Sequence, residues 1–295
     1  MSRVVVVGSV NVDLTVKVAA LPSPGETVIG GEFTQSPGGK GGNQATAAAR
    51  LGAETWFVGL VGDDPFGKSA RADLEASGVN VTHLGTGGSP TGVAAIIVDE
   101  GGENLIAVAS GANGELEPGV VERALGGLLS ENTVVLGGLE VPDEAVAAAA
   151  RAARRAGACF VLNPAPAHPL PEELIRACDV LTPNEHEAAV LVSGSPEMLL
   201  DQGAAAVVVT QGARGADLLR PGASAHHQPP FPIDAVDTTG AGDAFSAALA
   251  WGLSEGRSLE DAIALGAAAG ALATRAVGAR AALPTRQEVE GLLSR

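Results

Sequence analysis

Short runs of β-branched and apolar residues alternate along this chain with longer stretches rich in Ala and Leu. Val4–Val7, Thr55–Val61, Thr133–Leu136, Cys159–Asn163, Val180–Thr182 and Val207–Thr210 are short and mostly β-branched or apolar. Runs of that kind predict strands buried on both faces. Between most of them lie helical patterns, at Gly41–Leu51, Gly67–Ser77, Pro142–Ala156, Pro171–Ala177 and Glu185–Val192. Gly242–Leu253, Leu259–Thr274 and Thr285–Ser294 continue the helical pattern after the last strand. The alternation predicts an α/β fold, a doubly wound, mostly parallel sheet flanked by helices. Two segments break the rhythm. Val12–Gln35 holds Pro- and Gly-rich turns between strand-like ends, and Thr91–Ser110 carries an Asp99-Glu100-Gly101-Gly102 hairpin turn. Residues 1–295 are therefore expected to form a single α/β domain, with 12–35 and 91–110 inserted as a small β-sheet lid able to exclude water.

Composition narrows the function. Hydrophobic residues make up 46% of the 295 and aromatics only 3%, so the core is one of Ala, Val and Leu. No apolar run approaches the ~18 residues a membrane helix needs, and no basic region followed by a cleavable apolar segment opens the chain, so neither a membrane nor a secretory signal is expected. Eighteen Lys and Arg against 34 Asp and Glu give a net charge of −16, which argues against nucleic acid as a partner. The two cysteines, Cys159 and Cys178, have no C-x-x-C spacing and no further cysteines to form a metal site. They read as buried small hydrophobes in a reducing cytoplasm. His226 and His227 stand in a Pro-rich stretch and read as exposed rather than as ligands.

The chemistry concentrates in Asp237-Thr238-Thr239-Gly240-Ala241-Gly242-Asp243, which runs directly into an apolar helix. Small residues at a helix start leave free N–H groups and the positive end of the helix dipole for an anion. Asp243 falls in the first turn beside that anion. An anion cradle with an adjacent carboxylate is what transfer of a phosphoryl group to a hydroxyl requires, whereas a lone Gly-x-Gly would read as an ordinary helix cap. A second Gly-rich segment, Gly38-Gly39-Lys40-Gly41-Gly42-Asn43-Gln44, lets backbone approach a ligand closely and supplies donors from Lys40 and Asn43. It is not a Walker A loop, because Gly41 follows Lys40 where a hydroxyl would hold a metal. Asn11 and Asp13 follow the first strand two apart, so on extended chain they share a face and could grip vicinal hydroxyls; turn chemistry is the plainer alternative. Glu140, Asn163, Thr182–Glu187 and Thr210–Gly215 each follow a strand, at the edge where doubly wound sheets bind ligands.

Gly8–Asp13, Pro24–Thr27, Gly38–Gln44, Gly62–Asp64, Gly111–Asn113, Asn163–Pro166, Thr182–Glu187 and Asp237–Asp243 together resemble the ribokinase-like sugar kinases over nearly the whole chain. The resemblance implies ATP-dependent phosphorylation of D-ribose at its 5-hydroxyl, with Asp243 as general base and the amides around Gly240, Ala241 and Gly242 as anion hole. It assigns the sugar to Asn11, Asp13, Gly39, Lys40, Asn43, Glu140 and Asp243, and the nucleotide to Asn184, Glu187, Thr210, Gly212 and Gly242. Glu187 is implied to bind Mg²⁺ through water, and Asp237 with Thr239 a monovalent cation, K⁺. A homodimer through the β-lid is implied as well. The chain departs from the resemblance at Ala276–Leu283, which walls the cation site: the stretch around Thr274–Gly278 runs one residue longer, and Ala282 replaces a frequent serine. The Val192–Gln202 connection is shortened. Related kinases for deoxyribose, another sugar or a nucleoside are the alternatives. The absence of Tyr disfavours a nucleoside, and the intact Asp243 disfavours a non-catalytic sugar-binding regulator.

Overall fold

A computed structural model describes residues 2–294. In chain order its strands are β1 (Arg3–Val7), β2 (Asn11–Val18), β3 (Phe33–Gly38), β4 (Glu54–Val61), β5 (Asn80–Thr86), β6 (Gly92–Asp99), β7 (Asn104–Ala109), β8 (Thr133–Gly138), β9 (Cys159–Asn163), β10 (Val180–Leu181), β11 (Val207–Thr210), β12 (Ala216–Leu219) and β13 (His226–Gln228). Its helices are α1 (Lys40–Arg50), α2 (Pro65–Ala76), α3 (Pro118–Leu125), α4 (Asp143–Ala156), α5 (Glu172–Arg176), α6 (Glu185–Leu191), α7 (Met198–Asp201), α8 (Ala241–Ser254), α9 (Leu259–Ala273) and α10 (Arg286–Leu293).

The large sheet has nine strands in the order β13-β12-β11-β10-β9-β8-β1-β4-β5. It is parallel from β5 to β11, and the β11–β12 and β12–β13 pairings are antiparallel, so only β12 runs against the rest. This is the doubly wound α/β architecture that the alternation predicts. β1 shows why its sequence is a continuous valine run. Val4 and Val6 pack on one face with residues of α1, α8 and α9, while Val5 and Val7 pack on the other with α3, α4 and α5. A strand covered on both sides gains nothing from polar alternation. α8 and α9 are built largely from Ala, Gly and Leu, which lets them approach each other closely; Gly252 has no room for a side chain beside Ala262.

The four-stranded sheet, in the order β3-β2-β6-β7, comes from the two segments that break the rhythm. β6 and β7 form the hairpin, where Asp99 Oδ1 accepts from the amides of Gly101 at 2.9 Å and Glu103 at 3.0 Å. The segments are joined by parallel pairing of β2 with β6, which neither shows alone. Several elements escape the sequence pattern. β5 is a sheet edge with polar positions, α3 spans only eight residues, and β12 and β13 fold back after a single turn at Gly212–Arg214. Cys178 is buried and Cys159 only half-buried, and burial pushes the Cys159 thiol up to about 12. His226 and His227 are exposed, as expected, but on β13 rather than in a loop. No helix among the described residues is long and apolar enough to cross a membrane.

Candidate active site

Three chain segments meet where β1 ends. The backbone passes from β1 through Ser9 into β2, and α1 begins directly opposite at Gly39 and Lys40. Gly39 has φ +82°, and a Cβ there would lie 2.7 Å from the Asn11 amide nitrogen, so only glycine fits. Glu140, just after β8, caps this corner: its Oε2 accepts from the Lys40 amide at 2.8 Å and from Ser9 Oγ. Glu140 thus fixes the start of α1, a role the sequence alone does not reveal. Asn11 is buried at the start of β2, and its Oδ1 accepts from Asn113 Nδ2 at 2.8 Å. The Asp13 carboxylate lies over Gly38, where any side chain would collide with it. Burial and the neighbouring Glu140 push Asp13 up to about 6, against the pull of Arg280.

Asp243 stands in the first turn of α8 and is 4% exposed. Its Oδ2 accepts from Asn43 Nδ2 at 2.9 Å and its Oδ1 from Gln44 Nε2 at 3.3 Å. Burial raises its pKa, opposed by the Lys40 charge and the Asn43 hydrogen bond. Burial alone would lower the pKa of Lys40, but the carboxylates of Asp243, Glu140 and Glu187 outweigh it and the net shift is upward. Lys40 is therefore a fixed cation among three carboxylates, two on the polar pocket and one on the flank of α6. Gly240 has φ +79° and sits against the Ala279 carbonyl, with 2.8 Å left for a Cβ; Gly242, exposed, has open space around it.

On the other side of the α8 N-terminus lies a cavity of about 580 Å³. Thr210, Gly212 and Gly242 line it, with Phe231, Ile233 and Phe245 giving apolar walls suited to a planar base. Asn184 and Glu187 form a capping box on α6, Asn184 Oδ1 accepting from the Glu187 amide and Glu187 Oε2 from the Asn184 amide, both at 2.8 Å. Asn184 therefore caps the helix, and the second oxygen of Glu187 has no hydrogen-bond partner among the described residues. Asp237 is likewise engaged. Its Oδ1 accepts from the Thr239 amide at 2.9 Å and Thr239 Oγ1 at 2.7 Å, and its Oδ2 from the Gly278 amide at 2.8 Å. Although burial opposes it, these donors hold the Asp237 carboxyl below its usual range. No group of three or more His, Cys, Asp and Glu side chains among the described residues is placed to hold a metal.

The structure thus gathers Asn11, Asp13, Gly39, Lys40, Asn43, Glu140 and Asp243 at one junction, and Thr210, Gly212 and Gly242 at the adjoining cavity. Four further members of the polar cluster, Gln44, Asn113, Asn163 and Arg280, receive no assigned role from the sequence, although Asn163 is placed at the ligand-binding edge. The first three lie within quoted motifs. Arg280 carries no local signal: its Nε donates to Asn43 Oδ1 at 2.9 Å across 237 positions of chain.

The pfkB family carbohydrate kinase model matches residues 1–286, and the chain belongs to that family of carbohydrate kinases. Among its relatives, the ribokinase of Bacillus subtilis (strain 168) is 40% identical, the match covering all of both chains. The crystal structure of ribokinase from Thermotoga maritima superposes with a TM-score of 0.89 at 34% identity, covering all of both chains. Arabidopsis thaliana ribokinase, solved in complex with ribose and ATP, superposes with a TM-score of 0.90 at 32% identity, covering 100% of this chain and 99% of that one.

Proposed function

We propose that this chain transfers the terminal phosphoryl group of ATP to the 5-hydroxyl of D-ribose. One observation carries the assignment of roles: Asp243 is hydrogen-bonded to Asn43 of the polar pocket, and its chain neighbour Gly242 lines the apolar cavity. The base therefore stands at the junction of a hydroxyl-binding pocket and a nucleotide-sized cavity. Asn11, Asp13, Gly39, Lys40, Asn43 and Glu140 hold the sugar; Asn184, Glu187, Thr210, Gly212 and Gly242 hold the nucleotide. The 5-hydroxyl gives its proton to Asp243 as its oxygen bonds to the γ-phosphorus, the β–γ bridge breaks and ADP leaves. The amides of Gly240, Ala241 and Gly242, at the positive end of α8, take up charge on the transferred group.

Oxygen donors suit both expected cations. The free oxygen of Glu187 would hold Mg²⁺ through water, where it would neutralise phosphate charge. Asp237 and Thr239 would hold K⁺, which would steady the Gly240 loop through the Gly278 contact. Two free thiols, one buried and one half-buried, suit a reducing cytoplasm. ADP release measured with ribose, deoxyribose, fructose and adenosine, in K⁺ and in Na⁺, tests the reading. The highest kcat/KM is expected with ribose, and several-fold more turnover in K⁺. Preference for another acceptor would overturn the substrate, and equal rates in the two salts would remove the Asp237 site.

The lid bears the homodimer contact. All six residues of β7 are exposed, with Ile106 at 57% and Phe33 on the opposite edge strand at 60%. An uncovered apolar edge strand is a template for pairing. In sedimentation, Ile106→Asp should convert a two-chain particle into a monomer; a wild-type monomer would refute the assignment.

A further inference from the structure

Arg280 lies on the loop between α9 and α10, half-buried, with its guanidinium turned toward the polar pocket. Its Nη2 donates to the Gly38 carbonyl at 3.0 Å while its Nε donates to Asn43 Oδ1 at 2.9 Å. A guanidinium can only donate, so the Asn43 atom it meets must be the oxygen. That leaves Nδ2 as the atom facing Asp243 Oδ2. The polarity of the chain Arg280 to Asn43 to Asp243 is fixed from one end.

A second chain reaches the other carboxylate oxygen from the opposite side. The Thr182 carbonyl can only accept, so Asn163 presents Nδ2 to it at 3.1 Å and Oδ1 to Gln44 Nε2 at 3.0 Å. Gln44 Nε2 also faces Asp243 Oδ1. Its own Oε1 is buried with no partner among the described residues, so nothing else holds that amide in place. Apart from Asp243 itself, Arg280 is the one charged member of either chain.

We infer that Arg280 is a positioning residue for the phosphoryl transfer: by fixing the Asn43 amide it orients the Asp243 carboxylate toward the acceptor hydroxyl. The inference rests on the reading of Asp243 as base. Without Arg280 the Asn43 amide can turn over and set its oxygen against the Asp243 carboxylate, and small misplacements of a reacting group can cost about 10²-fold in rate. The charges facing Asp243 are Lys40 on α1, Asp13 on β2, Glu140 after β8 and Arg280. Those facing Arg280 are Asp13, Asp243, Asp73 on α2 and Arg50 on α1. Removing Arg280 therefore leaves Asp243 with Lys40 as its remaining cation, against two carboxylates.

The test compares kcat against pH, with ribose and ATP saturating, for wild type, Arg280→Ala, Arg280→Lys and Asp243→Asn. Arg280→Ala is expected to lower kcat at least about 10-fold and to move the acid limb of the profile to higher pH. Lysine keeps the charge but offers no fork, so Arg280→Lys should hold the limb in place while kcat stays depressed. A kcat and acid limb unchanged in Arg280→Ala, or a change confined to the ribose KM, would overturn the inference. Should Arg280→Ala fail to fold by thermal melting, Arg280→Lys decides: wild-type kcat there overturns it. Asp243→Asn separates the two claims, because full turnover in that variant removes the base itself, whatever Arg280 does.

Discussion

Asp243→Asn should leave ribose binding little changed and lower kcat by about two to four orders of magnitude, the range for loss of a positioned base. A ribose hydroxyl has a pKa far above 7, so its proton must leave as the O–P bond forms, and an amide cannot take it. The substitution also tests the hydrogen-bond direction. Both oxygens of Asp243 accept from donors, Asn43 Nδ2 and Gln44 Nε2. The introduced NH₂ must face one of them. Asn43 is held by Arg280, but Gln44 can turn its unpartnered Oε1 to receive it, giving up its hydrogen bond to Asn163 Oδ1. The fold should therefore survive, and the loss should appear in kcat rather than in the ribose KM. Titration calorimetry with ribose and steady-state ADP release separate the two, and turnover at the wild-type rate would end the role of Asp243.

How far the sequence could carry this result depends on the range of each signal. β1 is legible because a strand buried on both faces writes one uninterrupted run, Val4–Val7. α8 and its Gly-rich start are legible because the anion cradle and Asp243 are local, within one turn. The pairing of β2 with β6 is not, because it is a contact between distant segments with no common pattern. The same holds for Glu140. Its carboxylate suggests a sugar ligand, yet the structure also spends one oxygen on capping α1 at Lys40, a hydrogen bond 100 positions away in sequence. Arg280 is the extreme case: in sequence it is one arginine in a small-residue loop, and only folding brings it to Asn43 and Gly38. Local chemistry can be read from the chain, and the settings of that chemistry cannot.

In its proposed sugar-binding role, Asp13 sets function against stability. In the folded chain burial and Glu140 raise it from 3.8 to about 6, so above pH 6 it is a carboxylate held where its charge is disfavoured. Below pH 3.8 the group is protonated in both folded and unfolded chains and has no net effect. Its destabilisation grows between those values and is complete above pH 6, where the shift corresponds to roughly 3 kcal/mol at most. Asp13→Asn should therefore melt a few degrees higher than wild type at pH 8, with most of that gain lost at pH 4.5. The same substitution, and Asp13→Ala more severely, should lower kcat/KM for ribose by about 10²- to 10³-fold, as expected for losing charge-assisted hydrogen bonds to sugar hydroxyls at ~1.5–3 kcal/mol each. The ATP KM should not move, since Asp13 is not among the residues lining the apolar cavity. Wild-type kcat/KM for ribose should fall as pH drops through about 6, where Asp13 takes up its proton. Thermal melts and ribose kinetics across that range check both halves. A loss of stability at pH 8, or a rise in the ATP KM alone, would show that Asp13 serves the fold or the nucleotide instead. On the proposed reading, the destabilised carboxylate is kept in the pocket because bound sugar hydroxyls would take the place of the water that burial removes.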